Sequence, residues 1–111
     1  MSDDLSLCSL YLIGSALLVV IGLPLQQGWV PPNRWYGFRT PLTLGNADLW
    51  YAVNRVTGFW LMATGIATVG TATITHLGKV DTLVSAFLNG GTYLIGLLIM
   101  TIASLIRQKQ Q

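Results

Sequence analysis

Three charge-free stretches, Leu5 to Gly28, Val56 to Gly78 and Thr82 to Ile106, decide what this 111-residue chain can fold into. Each exceeds the ~20 residues that a helix needs to cross a hydrocarbon layer of ~30 Å. Within a bilayer no water can satisfy a bare backbone amide, so spanning segments fold as helices or closed barrels. Charged residues make up 9% of the chain, against roughly 25% in an ordinary soluble domain. The expected fold is an all-α membrane protein: three transmembrane helices, with a long ordered loop between the first and second. One domain over 1–111 is expected, with spans near 5–27, 47–77 and 82–107 and a motif loop at 28–46.

The first stretch reads as a retained span. It follows Asp3 and Asp4 rather than lysines, outruns the apolar region of about 7–15 residues in a signal peptide, and precedes no small-residue cleavage site. Cys8, the sole cysteine, has no disulfide partner in the chain. The basic residues flank the spans, where they set orientation and meet lipid headgroups, so the net charge of +2 does not point to nucleic acid. Arg34, Arg39, Arg55, Arg107 and Lys109 fall on one side of a three-span arrangement and only Lys79 on the other. That asymmetry predicts a cytoplasmic middle loop and C-terminus, with the N-terminus outside.

The middle loop carries the polar chemistry. Pro31 and Pro32 forbid helix continuation because proline lacks an amide donor and biases its predecessor toward extended geometry. The segment from Gln26 to Gly45 is therefore a loop of about 20 residues, longer than the usual 2–8 between helices. Its density of aromatics, Trp29, Trp35, Tyr36 and Phe38, argues against disorder. Asn46 suits an N-cap, and Asp48 in the first turn suits the helix dipole. On the helix that follows, Trp50, Asn54, Gly58, Leu61 and Gly65 share one stripe. Asp48, Tyr51, Ala52, Arg55 and Phe59 share the next, where Asp48 and Arg55 are expected to approach.

Small residues mark where helices can meet. Gly58 and Gly65, with Gly90 and Gly91 near Asn89, are the expected packing positions. Ser85, Asn89 and Thr92 face one direction; an interhelical hydrogen bond from Asn89 outweighs a ligand contact. His76, close to the end of its span, reads as a capping or headgroup-level residue before a proton relay or metal ligand. No carboxylate lies within a charge-free stretch, and neither a nucleophile constellation nor a metal spacing is present. Enzyme activity, a cofactor and a bound metal are not expected.

The run Pro32-Asn33-x-x-x-Gly37-x-Arg39-Thr40-Pro41-x-Thr43-Leu44, followed by Trp50, Asn54, Arg55 and Gly58, resembles the signature of the SdpI family of small bacterial membrane proteins. The resemblance covers about a quarter of the chain, and the apolar spans fit around it. It implies a multi-pass protein of the bacterial cytoplasmic (inner) membrane. The family takes its name from an immunity protein that protects cells from a secreted killing peptide and holds a repressor at the membrane. The candidate ligand-binding residues are Asn33, Arg34, Tyr36, Gly37, Arg39, Thr40, Trp50, Asn54 and Arg55. Physically, Arg34 and Arg39 can grip a phosphate or carboxylate bidentately, and Trp35, Tyr36 and Trp50 suit a membrane interface.

Three roles remain open from the sequence. One is a binding or sensing protein that recognises a membrane-active peptide or lipid-like ligand and confers immunity to it. The second is a small structural or accessory subunit of a larger membrane complex. The third is an oligomeric transporter or lipid-modifying enzyme. Expected partners are membrane lipids, with a toxin peptide, a membrane-protein partner or a second copy of the chain as candidates.

Overall fold

The computed structural model describes residues 2–33 and 35–110. The elements run α1 (Ser2–Gln27), α2 (Pro41–Leu44), α3 (Ala47–Leu77) and α4 (Thr82–Lys109). No strand occurs among the described residues. The three long helices make a rod of 50 × 21 × 18 Å.

Two helices are long and apolar enough to cross a membrane, over Ser6–Gln27 and Thr82–Lys109. The third, α3, has the length at 31 residues. Thr57, Thr64, Thr68, Thr71, Thr73 and Thr75 dilute its apolar content. Absence of charge therefore overstated its hydrophobicity: a threonine-rich stretch is uncharged without being oily.

α3 lies between α1 and α4 and packs along both. Two glycines of α3 bring α1 close. A Cβ on Gly58 would run into the Gly22 carbonyl and the Gln26 amide, and one on Gly65 would lie 2.6 Å from the Ser15 carbonyl. Across the other seam, a Cβ on Gly96 would collide with Thr64. The expectation for Gly90 and Gly91 is corrected: nothing lies within 4 Å of where their Cβ atoms would stand. Gly96 is six residues beyond Gly90, about 240° around a helix of 3.6 residues per turn, so it faces α3 while Gly90 does not.

Polar bonds tie the seams. Thr57 and Ser104 share a hydrogen bond of 2.5 Å, and Thr71 and Thr92 one of 3.3 Å. The Tyr93 hydroxyl donates to the Tyr11 carbonyl at 2.6 Å and stands 3.3 Å from Ser15, joining α4 to α1. Asn89, fully buried, donates to Thr75 at 3.1 Å and to the Ser85 carbonyl at 2.9 Å. Its own oxygen is buried without a partner. The hydroxyls of Thr57, Thr64, Thr68, Thr71 and Thr75 each donate to the carbonyl four residues earlier on α3.

The helix boundaries follow side-chain chemistry. Asn46 caps α3 by accepting from the Leu49 amide at 3.2 Å, and Asp48 occupies the first turn. His76 stands in the last turn, where a basic group suits the negative end of the helix dipole. Asp81 caps α4 through the Leu83 amide at 3.2 Å. The expected approach of Asp48 to Arg55 is not found among the described residues. Arg55 reaches instead to Gly28, where its Nη2 would lie 2.8 Å from an added Cβ.

Candidate functional site

The loop from Gly28 to Asn46 is held by side chains that replace the hydrogen bonds a helix or sheet would supply. Gly28 ends α1 at φ +77°, a left-handed conformation open to glycine. Pro31 and Pro32 contribute no amide donors, so the turn beyond them is built by Asn33. Its Oδ1 accepts from the amides of Trp35 at 2.8 Å and Tyr36 at 2.7 Å, while its Nδ2 donates to the Pro31 carbonyl at 2.9 Å. An asparagine that bonds backbone two and three residues away mimics a backbone turn. The Tyr36 hydroxyl then donates to the Ile21 carbonyl of α1. Burial pushes the Tyr36 phenol above its ordinary value, so it keeps this proton at physiological pH.

Past Tyr36 the chain lies against the head of α3. The Phe38 amide donates to Asn54 Oδ1 at 2.6 Å, and Asn54 Nδ2 donates to the carbonyls of Trp50 at 3.0 Å and Phe38 at 3.3 Å. One amide side chain thus satisfies both backbone groups of Phe38, as a neighbouring strand would. Trp50 has no exposed surface, and its indole Nε1 donates to the Val30 carbonyl at 2.8 Å. Between these anchors Gly37 sits at φ +110°. A Cβ there would lie 2.7 Å from Asn54 Oδ1 and 3.2 Å from the Trp50 ring.

The loop, expected to be ordered, contains one helical turn, α2. Pro41 stands in its first turn, and Thr40 and Thr43 form a capping box. The Thr43 amide donates to Thr40 Oγ1 at 3.1 Å and the Thr40 amide to Thr43 Oγ1 at 2.8 Å. Proline preset for helical φ, preceded by a threonine cap, makes even a four-residue helix local in origin. Thr40 Oγ1 also donates to Gln108 Oε1 at 2.6 Å, fastening the far end of α4 to the loop.

The candidate residues therefore separate into two groups. Asn33, Tyr36, Gly37, Thr40, Trp50 and Asn54 converge in one internal clasp, their polar atoms used to fold the loop. Arg39 and Arg55 are exposed, as are Trp35 (88%) and Trp29 (66%). Arg34 lies outside the described residues. Two members of the clasp were not among the candidate ligand-binding residues. Thr43, fully buried, could have been found from its capping spacing to Thr40. Gln108 had no such signal, since it lies 68 residues from its partner.

Replacing Gly37 by alanine should destabilise the loop by about 1–3 kcal/mol, because a side chain is strained at that φ and meets Asn54 and Trp50 besides. Protease cleavage between residues 29 and 40 in detergent micelles would measure it; unchanged resistance would contradict the clasp.

A family model described as the SdpI/YfhL protein family matches residues 29–107. The chain belongs to the SdpI/YfhL family. The match takes in the loop from Trp29, α2 and α3 and ends within α4, so the loop and α3 members of the clasp lie inside it and Gln108 falls just beyond. Neither the curated proteins nor the solved structures gave a match. Family membership and the two apolar helices make this a membrane protein of the SdpI type.

Proposed function

We propose that this SdpI/YfhL protein crosses the bacterial cytoplasmic membrane three times and recognises a membrane-active peptide or lipid-like ligand at the exposed face of its loop, conferring immunity to it. The observation that carries the reading is the division of labour within the motif. The side chains of Asn33, Tyr36, Thr40, Thr43, Trp50 and Asn54 are bonded within the protein, whereas Arg39 stands exposed on the loop those groups hold. A preset loop loses little conformational entropy when a ligand arrives. Exposed arginine beside exposed tryptophan suits an anionic, partly apolar target at a membrane surface.

Packing supports the third span. A helix lying between two membrane-crossing helices shares their depth, and five α3 threonine hydroxyls are bonded to its own backbone, which lowers the cost of that environment. The bond from Thr40 to Gln108 supports one face for the loop and the end of α4, and the basic residues there favour the cytoplasmic face. Recognition is the proposed activity, not catalysis, because the clasp offers neither a nucleophile nor a free base.

Arg39→Ala tests the reading in cells challenged with a membrane-active killing peptide. Loss of a charge-assisted contact should weaken protection about tenfold or more at unchanged protein level, with Arg39→Lys recovering part of it. Full protection by Arg39→Ala would remove the loop face as the recognition surface.

A further inference from the structure

Beneath the clasp lies a crevice of about 170 Å³. Every long helix contributes to it: Ile21 and Leu25 from α1, Leu61 from α3 and Met100 from α4, joined by Phe38 of the loop. Tyr36, Gly37 and Thr57 complete the lining. The side-chain hydroxyls among them are already engaged. Tyr36 donates to the Ile21 carbonyl, and Thr57 is bonded to Val53 and Ser104. Water entering this space would find no free side-chain hydroxyl and a mostly aliphatic wall, and aliphatic cavities of about 150 Å³ stay dry and accept a six-carbon apolar guest. The crevice is built for hydrocarbon.

The charge around it selects what the hydrocarbon is attached to. Arg39 follows Phe38 and is exposed; Arg55 precedes Thr57 by two residues and is exposed. Arg107 and Lys109 sit in the last turn of α4, whose Gln108 is fastened to the loop. Asp48 is the single acid described at this end, since Asp81 caps the opposite end of α4. A peptide strand is disfavoured at the same place. The backbone of Phe38, the loop residue in the crevice wall, gives both its amide and its carbonyl to Asn54, leaving no edge to pair with.

We propose that the crevice holds the upper part of one acyl chain of an anionic phospholipid, whose phosphate is met by Arg39. The inference rests on the reading of the loop face as a recognition surface and names its ligand class. It makes the loop a lipid-gripping cap over a slot between α1 and α4.

Native mass spectrometry of the full chain in detergent, with dioleoyl phosphatidylglycerol and dioleoyl phosphatidylcholine supplied equally, tests it. The natural protein should retain phosphatidylglycerol in clear preference. Arg39→Gln should reduce that preference about fivefold, the effect of one basic residue at an anionic surface. Met100→Trp should fill the slot and abolish retention of both lipids. Leu61→Phe, a smaller change on a different helix, should act in the same direction if Met100→Trp does not fold, with helicity and elution volume checking each. Equal retention of phosphatidylglycerol by the natural protein and a folded slot-filled variant would overturn the proposal, as would absence of any headgroup preference. The two readings fail separately. Lipid retained in slot-filled protein while Arg39→Ala loses peptide protection sinks the slot alone, whereas full protection by Arg39→Ala sinks the loop reading.

Discussion

Trp50→Ala should lower the stability of this protein by about 3–5 kcal/mol, the range for removing a fully buried large aromatic. Against a total of ~5–15 kcal/mol for a typical domain, that is a large fraction. Two losses combine. The ring has no exposed surface and packs against Gly37, so truncation leaves a cavity between the loop and α3. The indole N–H also leaves the Val30 carbonyl, which must then find water or go unpaired. Trp50→Phe separates these losses, keeping much of the ring and removing the donor, at about 1–3 kcal/mol. Thermal melts in detergent followed by circular dichroism would give both values. A Trp50→Ala protein that melts with the natural one would mean that the loop is held by something other than this clasp.

The second large effect is expected at Gly58. Its missing side chain is what lets α1 and α3 touch backbone to backbone, against the Gly22 carbonyl and the Gln26 amide. Overpacking a core costs typically about 1–3 kcal/mol when side chains can yield, and occasionally more. Here the opposing atoms are backbone, so Gly58→Leu must push the helices apart and should lie at or above the upper end. The same displacement would loosen Gly65 from the Ser15 carbonyl and withdraw Ile21 from the Tyr36 hydroxyl. Loss of the monodisperse gel-filtration peak is the expected result. Gly70→Leu is the matched control: nothing lies within 4 Å of its Cβ position, so it should elute unchanged. If both variants elute alike, the close approach of α1 to α3 is not a determinant of the fold.

How much of this could be read from residues alone depended on sequence distance. The stripe Trp50, Asn54, Gly58, Leu61 and Gly65 follows from helical periodicity; Leu61 is half-buried and the other four positions are buried. Asn46 and Asp48 marked the start of α3 through local capping chemistry, which acts within one turn. Asn33 acts over an equally short range, bonding amides two and three residues on. The bridge from Asn54 to Phe38 was not, because it joins residues 16 apart whose meeting depends on the path of the loop. Arg55 shows the opposite error. Helical spacing placed it near Asp48, but Gly28 offered the long guanidinium a place against bare backbone. Gly90 and Gly91 were misjudged because smallness permits a contact without saying which face a neighbour occupies.

The threonines of α3 bear on the order in which the molecule is made. Each bonded hydroxyl along the row from Thr57 to Thr75 returns its proton to the carbonyl four residues behind it. Those bonds exist in a solitary helix. On the three-span reading, α3 emerging from the ribosome can therefore settle among lipid tails with those five hydroxyl donors already satisfied, before α4 has been synthesised. Ser104 and Thr92 then join hydroxyls that are already placed, and Asn89 donates to one, so α4 docks onto a finished surface.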